Sequence, residues 1–439
     1  MTHMRQQESV WSYTALLPRF GKLKHDLNVD VLIIGGGMAG ILCAYQLQLA
    51  GIDYALVEAK RICSGITKNT TAKITCQHGL IYDKMLHRFG KEKTKLYLDA
   101  NTSALAEYRK LCQKIDCDFE DRDSYIYSLN NPYKINAELS ALQSIGYPAK
   151  SCDRLPLPFD TAGAVQFPNQ AQFHPLRFIS LIAGTLRIYE QTKVRELIGT
   201  TAITENGRIT AKKVIVATHF PLLNKHGSYF IKMYQERSYV LALSNAPDVC
   251  GMYADEDSSG FSFRSYGDLL LLGGGSHRTG KKSEAWRKLE DFSAREYPRA
   301  QIQYRWATQD CMTLDDIPYI GNYSARTPDL YVATGFNKWG MTSSMVAAML
   351  LRDLVQGKDN PYAEVFSPSR SILRPQLAIN GFESAVNLLT PAKKRCPHLG
   401  CALKWNDAEK TWDCPCHGSR FSENGELIDN PSTDDLKAE

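Results

Sequence analysis

The pattern of apolar and polar residues near the start of the chain predicts a strand, a helix and a second strand. Residues 29–60 begin with an apolar run of strand length, VDVLII, and continue through a glycine turn into an amphipathic helix. They end in another apolar strand that closes on an acid, Glu58. This order is typical of a βαβ unit in a parallel sheet, so we expect an α/β domain here.

Later segments predict further strands of two kinds. Residues 329–334, DLYVAT, form an apolar strand that runs into a glycine-containing turn and then into a helix from about Met341. Residues 233–243 and 260–272 instead alternate between apolar and polar positions, as half-buried strands do. We expect the alternating strands to form an α+β substrate domain, built from about residues 80–165 and 228–312.

The end of the chain has a different composition. Residues 361–380 are rich in Pro and Ser, which predicts a linker. The segment ALKWNDAEKTWD that follows predicts a hairpin, with Asn406 and Asp407 at its turn. We therefore divide the chain into a lead-in (1–27), a main domain (28–360), the linker (361–380) and a short tail (381–439).

Composition and charge limit the partners. Of the 439 residues, 44% are hydrophobic, and the net charge of +5 is spread along the chain, so no basic tract suggests nucleic acid. No apolar stretch approaches the roughly 18 residues of a membrane span, and the first residues lack a secretory leader. We therefore expect a cytoplasmic protein. Of its twelve cysteines, eight are scattered singly and four lie between residues 396 and 416, so only these four need a chemical explanation.

Gly35, Gly37 and Gly40 form the pattern GxGxxG at the first turn. The first glycine permits a tight turn, the second lets a pyrophosphate approach the backbone, and the third lets helix and strand pack closely. Phosphate would bind at the helix N-terminus, and Glu58 is placed to accept hydrogen bonds from ribose hydroxyls. A glycine turn that binds nothing is the alternative, but the strand, helix and acid around it favour a dinucleotide.

The segment after the second strand favours FAD. Residues 64–81, SGITKNTTAKITCQHGLI, resemble the corresponding loop of the D-amino-acid oxidase and glycine oxidase superfamily, and later blocks extend the resemblance over about residues 10–360. It implies a Rossmann-like, glutathione-reductase-type FAD-binding domain joined to the α+β substrate domain. The FAD-binding candidates are Gly35, Gly37, Met38, Ala39, Gly40, Glu58, Ser64, Gly65, Asn69, Thr70, Gly335, Phe336, Gly340 and Met341.

The resemblance also implies how the flavin is held. The N-terminus of the helix that begins near Met341 exposes unpaired N–H groups and the positive end of the helix dipole, which suit the pyrimidine edge of a flavin. An ordinary strand-to-helix turn is the alternative. Some relatives bind FAD covalently through a histidine in the loop after the second strand, where this chain offers Asn69, with His78 nine residues further on. We predict noncovalent FAD.

The candidates for catalysis rest on less sequence evidence than the cofactor-binding residues do. Arg237, Tyr239 and Arg264 lie on predicted strands that could face the flavin, where an arginine would pair bidentately with a substrate carboxylate. Arginines on strands are more often solvated or ion-paired, which is the alternative here. Lys338 and Lys73 could place a cation near the flavin, and an ordinary loop lysine is the alternative for each.

Two loops in the tail hold the clustered cysteines. The sequences CPHLGC (396–401) and CPCHGS (414–419) each contain two Cys and one His. Cys396 and His398 on one loop, and Cys414 and His417 on the other, provide one Cys and one His each, and the hairpin between the loops would bring them side by side. Two thiolates can bind one iron and two imidazoles another, an arrangement that raises the potential above that of all-cysteine clusters. A zinc site uses the same ligand types and is the alternative.

These loops closely resemble the Rieske 2Fe-2S family, which implies a small all-β domain. Carried over by position, the metal ligands are Cys396, His398, Cys414 and His417, and the resemblance implies a disulfide between Cys401 and Cys416.

The tail departs from the Rieske pattern in two ways. Phe421 stands where high-potential members have a tyrosine, so we expect one hydrogen bond to the reduced cluster to be missing and the potential to be lower. The tail has only about sixty residues, which form a marginal core. We expect it to pack on the flavin domain through apolar contact.

Together these features predict an FAD-dependent dehydrogenase. The flavin would take a hydride from a C–N bond of an amine or amino acid, and the cluster would pass electrons singly to an external carrier, whereas a plain oxidase needs no cluster. One alternative is an electron-transfer or redox-sensing protein without an organic substrate. Another is a Rieske oxygenase, but the flavin fold takes the place of its mononuclear iron domain.

Overall fold

The computed structural model describes residues 8–223 and 226–437, so the first seven residues of the predicted lead-in lie outside the described part. A short 3-10 helix covers Ile66–Asn69. The α-helices of the described ranges are α1 (Val10–Thr14), α2 (Met38–Leu49), α3 (Tyr82–Cys112), α4 (Pro132–Ser144), α5 (Pro175–Ala183), α6 (Tyr229–Lys232), α7 (Ala285–Glu296), α8 (Gly340–Val355), α9 (Ala363–Phe366) and α10 (Pro375–Leu389).

The strands of the same ranges are β1 (Leu27–Ile34), β2 (Tyr54–Val57), β3 (Lys73–Ile74), β4 (Glu120–Ser128), β5 (Lys150–Cys152), β6 (Gly163–Gln172), β7 (Ile188–Tyr189), β8 (Glu196–Ile198), β9 (Thr201–Thr204), β10 (Gly207–Val216), β11 (Met233–Ser244), β12 (Met252–Asp255), β13 (Ser262–Tyr266), β14 (Leu269–Arg278), β15 (Gln301–Thr313), β16 (Tyr319–Asn322), β17 (Leu330–Thr334), β18 (Lys404–Asn406), β19 (Thr411–Asp413), β20 (Arg420–Ser422) and β21 (Leu427–Asp429).

The first sheet is the predicted parallel one. Its order is β16-β17-β10-β1-β2-β7, with the hairpin β8-β9 attached to β10. β1 lies between β2 and β10 and is parallel to both, with Ile33 opposite Leu56 and Ile215. The apolar run of β1 is buried because helices cover a parallel sheet on both faces. The βαβ prediction is confirmed.

The second sheet is the α+β part and is largely antiparallel. Its nine strands follow the order β15-β11-β14-β13-β12-β4-β6-β3, with β5 paired to β6, and β4 and β12 form its parallel pair. The alternating segments predicted as strands become β11, β13 and β14. β11 lies between β14 and β15.

The tail forms a third, separate sheet of four antiparallel strands, β18-β19-β20-β21. The predicted hairpin is β18 and β19, in which Asn406 is opposite Thr411. With the other two sheets, this small all-β unit confirms the predicted fold class.

The region predicted as a linker is partly helical. Residues 361–380 contain α9 and the first turns of α10. Pro375 is at the first position of α10, where its missing N–H is not needed, so it begins a helix rather than preventing one. No helix in the described ranges is both long and apolar enough to cross a membrane.

Candidate cofactor sites

A cavity of about 810 Å³ is lined by both large sheets and by the tail. All of the predicted FAD-binding residues except Gly40 line it. Gly40 is instead in the packing contact predicted for the third glycine, since a Cβ there would come 1.9 Å from the carbonyl oxygen of Gly35. A Cβ added to Gly37 would meet only the Thr67 Oγ1 within 4 Å, at 3.4 Å. The backbone of Gly37 is therefore open to the cavity. The turn therefore fits a pyrophosphate.

Glu58 closes the adjacent end of this turn. Its Oε2 accepts a hydrogen bond from the Gly36 N–H at 2.7 Å, and its Oε1 accepts one from the Lys60 N–H at 2.8 Å. Burial raises the pKa of Glu58, and these two donors oppose that shift. Each carboxylate oxygen keeps a second lone pair, so Glu58 can still accept a hydrogen bond from a ribose hydroxyl.

The loop that carries Ser64, Gly65, Asn69 and Thr70 is held in place by distant aromatic residues. The Trp11 indole N–H, from α1 of the lead-in, donates to the carbonyl oxygen of Thr70 at 2.7 Å. The Trp306 indole N–H donates to that of Asn69 at 2.9 Å. Neither tryptophan was among the residues singled out from the sequence, because an isolated tryptophan indicates core packing before it indicates a cofactor loop.

The structure gives Arg264 a supporting position. Its side chain is 1% exposed, and its Nη1 donates to the carbonyl oxygens of Thr71 at 2.7 Å and Ala72 at 2.9 Å. It does not line the cavity. Arg264 therefore fixes the loop behind the predicted flavin and is not placed to pair with a substrate carboxylate.

Lys338 lies in the turn between β17 and α8, and it lines the cavity. Its Nζ forms an ion pair with Glu236 at 2.8 Å and a hydrogen bond with the Ser276 hydroxyl at 2.9 Å. Glu236 is directly opposite Asp310 across β11 and β15. Burial raises the pKa of Asp310 to about 6, and the nearby Lys338 opposes the shift. The lysine stabilises two carboxylates that would otherwise repel each other.

Arg237 and Tyr239 also line the cavity, but their polar groups bond to the tail. The Arg237 Nε donates to Glu409 Oε1 at 3.1 Å, and the Tyr239 hydroxyl donates to the same oxygen at 3.1 Å. Arg420 contributes a second guanidinium to Glu409 at 2.8 Å. Burial alone would raise the pKa of Glu409, but Arg237 and Arg420 lower it to about 2. This buried, charged network joins the two parts of the chain.

The structure brings the two cluster loops together. Cys396 and Cys414 are 1% and 0% exposed, and the His398 and His417 rings have centroids 5.0 Å apart. Neither ring nitrogen of the buried His417 has a hydrogen-bond partner in the described residues. Burial lowers the pKa of His417 to about 3, which keeps the ring in the neutral, metal-binding form. Two buried thiols and two neutral imidazoles fit a two-iron cluster.

Cys401 and Cys416 form a disulfide that joins the two loops. Phe421 is 0% exposed and packs in the same apolar core as the four cysteines.

The second loop is clamped by the flavin domain. Arg278 of β14 donates from Nε to the carbonyl oxygen of Pro415 at 2.9 Å and from Nη2 to that of Cys416 at 3.0 Å. Gln235 donates to the carbonyl oxygen of His417 at 2.7 Å. Gln309 donates to that of Gly418 at 2.8 Å.

Phe220 and Phe230 of the flavin domain also pack against His398 and His417, so the interface combines the expected apolar contact with these polar anchors. Sequence reasoning missed these anchors because an isolated Gln or Arg on a strand fits a solvated position equally well.

Both ring nitrogens of His78 have hydrogen-bond partners within the protein. Its Nδ1 lies 2.6 Å from the Tyr97 hydroxyl, and its Nε2 lies 2.9 Å from that of Thr342. Burial lowers its pKa to about 3. This histidine packs beside the cavity with both ring nitrogens occupied.

A glycine-lined dinucleotide cavity and a pocket of two thiols and two imidazoles together define a flavin and iron–sulfur oxidoreductase. The chain belongs to the FAD dependent oxidoreductase family (DAO), which residues 30–354 match. Residues 385–438 match the Rieske [2Fe-2S] domain. FAD and a Rieske 2Fe-2S cluster are accordingly its cofactors.

Individual relatives agree with both parts. The chain is 36% identical to YhfW of Bacillus subtilis (strain 168), whose name assigns it provisionally to the Rieske 2Fe-2S iron-sulfur proteins, over 98% of this chain and 97% of that one. It is 24% identical to gamma-glutamylputrescine oxidoreductase of Escherichia coli (strain K12), over 77% of this chain and 86% of that one. The structure is similar to glycine oxidase from Geobacillus kaustophilus, with a TM-score of 0.66, 18% identity and coverage of 79% of this chain and 99% of that one.

Proposed function

We propose that the protein is an FAD-dependent dehydrogenase that oxidises a C–N bond of an amine or amino acid and passes the electrons singly through its cluster to an external carrier. The observation that carries this proposal is that both parts of the chain build one cavity. Residues 427–433, Glu409 and Arg420 of the tail line it together with the flavin domain. A cluster domain with an independent role would not need to form a wall of the flavin cavity.

β11 supports a direct path between the two sites. Alternate residues of a strand point to opposite faces. Gln235 and Arg237 bond to the tail, whereas Glu236 pairs with Lys338 in the turn predicted to hold the flavin edge. In this proposal, β11 would therefore link the turn that holds the flavin to the second cluster loop.

We assign the cofactor ligands as the sequence predicts. Cys396 and Cys414 would bind one iron, and His398 and His417 would bind the other. FAD would supply the two-electron chemistry, and the cluster would supply one-electron steps. Noncovalent FAD agrees with the contacts of His78, because both of its ring nitrogens are already occupied.

The cavity favours recognition of the amine end of the substrate. All three arginines that line it within the described residues are ion-paired: Arg61 with Glu190, Arg237 with Glu409, and Arg420 with Glu409. Lys73 also lines the cavity, and burial lowers its pKa to about 7. A neutral lysine can accept a proton from a substrate ammonium, and the C–H bond beside nitrogen would lose hydride only from the free amine, whose lone pair forms the C=N bond.

The test is anaerobic mixing of the loaded protein with a panel of primary and secondary amines and amino acids. We expect one class to bleach the flavin absorbance, followed by the rhombic EPR signal of a reduced Rieske cluster. A Cys396→Ser variant that retains FAD is the control, and its flavin should bleach and then stay reduced when a one-electron acceptor is added.

Two results would contradict the proposal. When the same amines are mixed in air, equal rates of hydrogen peroxide formation by the protein and by the Cys396→Ser variant would identify an oxidase. Failure of every amine to bleach the flavin, in protein whose cluster is still reduced by dithionite, would favour an electron-transfer protein without an organic substrate.

A further inference from the structure

Helix α10 has polar residues on its buried face and apolar residues on its exposed face, the reverse of an ordinary surface helix. Its buried positions carry polar residues, Asn380 at 2% and Asn387 at 4% exposure. Its solvent face carries large apolar side chains spaced by three, four and three residues. These residues, which we call the α10 patch, are Ile379, Phe382, Val386 and Leu389, at 50%, 69%, 43% and 83% exposure.

Polar contacts hold the helix in this orientation. The Asn380 Oδ1 accepts a hydrogen bond from Arg278 at 2.9 Å, and its Nδ2 donates to the carbonyl oxygen of Ile231 at 3.3 Å. The backbone of Asn387 accepts from the Ala402 N–H at 2.9 Å. Rotation of α10 to bury the patch would break these bonds, so the apolar face remains exposed as the chain stands.

The α10 patch is continuous with the first cluster loop. Arg395 donates from Nη1 to the carbonyl oxygens of Leu388 at 3.2 Å and Gly400 at 2.8 Å, so one guanidinium joins the end of α10 to the loop. Leu399 is 40% exposed and adjoins His398, a predicted ligand. The patch therefore ends beside the cluster.

The surroundings of the α10 patch are basic. Residues 371–404 contain five Lys or Arg and one Asp or Glu. That acid, Glu383, is paired with Lys281 at 2.6 Å. Lys393 and Lys404 are exposed. An apolar centre with a charged rim is the anatomy of a protein docking site, and a basic rim selects an acidic partner.

A lipid surface fits less well. Helices that lie in a membrane interface carry Lys and Arg on the helix itself, opposite the apolar face. Residues 375–389 contain neither, and the opposite face of α10 is packed against this protein. The lysines instead follow the helix, next to the first loop.

We propose that the α10 patch, Leu399 and the lysines around them form the docking surface of a small, acidic, one-electron carrier protein. The proposal rests on the proposed function in one respect, since it takes the cluster as the exit for electrons. The partner would exchange electrons with the cluster through the exposed first loop, at the end of the molecule that the flavin domain leaves open.

The test uses the oxidised holoprotein and a reduced plant-type [2Fe-2S] ferredoxin as an acidic probe. Electron flow to a two-histidine cluster is downhill, because plant-type clusters have the lower potential. Stopped-flow absorbance gives the second-order rate constant of cluster reduction. We expect Phe382→Ser, Leu389→Ser and Lys393→Glu each to lower this constant about tenfold or more, and added salt to lower it in the unmodified protein.

Matched controls are Leu181→Ser, an apolar residue on α5 that is 56% exposed, and Lys24→Glu, an exposed lysine of the lead-in. Both should leave the rate constant within about twofold of its starting value. EPR integration confirms equal cluster content in every variant. No amine is added, so failure of the proposed substrate chemistry does not affect this measurement.

Three outcomes would overturn the proposal. Equal rate constants in all variants would show that the α10 patch and its lysines are not a docking surface. Cosedimentation with anionic phospholipid vesicles that Phe382→Ser abolishes, without an effect on the ferredoxin reaction, would assign the patch to a membrane. Dimers in sedimentation velocity that Phe382→Ser converts to monomers would assign it to a second copy of this chain.

Discussion

The two cluster loops have the same backbone design but opposite surroundings. In each loop, the glycine four residues after the first cysteine donates to the carbonyl oxygen of that cysteine: Gly400 to Cys396 at 2.8 Å, and Gly418 to Cys414 at 2.9 Å. Every residue of the second loop, 414–419, is buried. In the first loop, Pro397 and Leu399 are exposed.

The difference comes from what holds each loop. Side chains of the flavin domain clamp the second loop, whereas Arg395 of the tail itself holds the first. One motif used twice therefore gives the cluster an inner side, which faces the flavin domain, and an outer side, which faces solvent. The position of each loop, more than its sequence, decides which role it can have.

The largest expected effect comes from a substitution that disrupts the inner side of the cluster. Glu409→Gln removes the charge that pairs with Arg237 and Arg420, both of which are 4% exposed at their side chains. Arg420 keeps Asp413 and Asp429 as partners. Arg237 is left with Asp429 alone at 3.8 Å, so much of its buried charge is uncompensated and we expect the free energy of unfolding to fall by about 3 kcal/mol or more. Urea denaturation followed by circular dichroism measures it.

The control is Glu364→Gln, whose carboxylate pairs with Lys93 at the surface and is 74% exposed. This pair should contribute about 1 kcal/mol or less. Equal effects of the two variants would contradict an inner side held by buried charge.

The same network predicts how the stability of the protein changes at low pH. The pKa of Glu409 is lowered to about 2 in the folded state, below the roughly 4.3 of an unfolded glutamate. Its contribution is therefore complete above pH 4.3 and is lost as the pH falls towards 2. Thermal melts of the protein should drop through this window, and Glu409→Gln should show a smaller drop. Parallel curves would show that other carboxylates control acid unfolding.

The next effect removes the link between the inner and outer loops. The disulfide between Cys401 and Cys416 closes a segment of 15 residues, so the double change to serine should cost about 3 kcal/mol. Thermal unfolding with and without a reductant measures the loss. Reductant should bring the unmodified protein to the level of the variant, while Cys250→Ser, at an exposed free cysteine, should change neither curve.

A fourth prediction compares the two arginines that hold the loops. Arg278→Ala deletes donors to two carbonyl oxygens of the buried second loop, and we expect a loss of about 2 kcal/mol together with a weaker cluster EPR signal. Arg395→Ala deletes donors at the exposed first loop, where water can replace them, so its cost should stay under about 1 kcal/mol. The reverse order would contradict the assignment of inner and outer sides.

Sequence patterns predicted the parts whose chemistry is local. The glycine turn from Gly35 to Gly40 and the cluster loops each hold their informative residues within a few positions, and the structure brings each set together. A tight turn or a pair of neighbouring ligands restricts the residues that can fill it, so the sequence carries the information.

The parts that were not predicted depend on long-range pairs. Gln235 and His417 are 182 residues apart, and Arg278 and Pro415 are 137 apart. A polar residue on an alternating strand is compatible with solvent or with a partner, and nothing nearby distinguishes them. The same applies to Arg237, predicted for a substrate carboxylate, whose guanidinium pairs with Glu409.

The smallest expected effect tests the core between the two loops. Phe421 is fully buried in the same apolar core as Cys396 and Cys414. Phe421→Tyr adds a hydroxyl to the core that contains the thiolates, where a hydrogen bond to sulfur would stabilise the reduced cluster, so the midpoint potential should rise. Stability should change by about 1 kcal/mol or less if the hydroxyl finds that partner. An EPR-monitored redox titration measures the potential.

Phe220→Tyr is the matched control, because Phe220 is equally buried but lies beside His398 and His417, and its variant should shift the potential less. An unchanged potential in Phe421→Tyr would show that the missing tyrosine does not set the potential of this cluster.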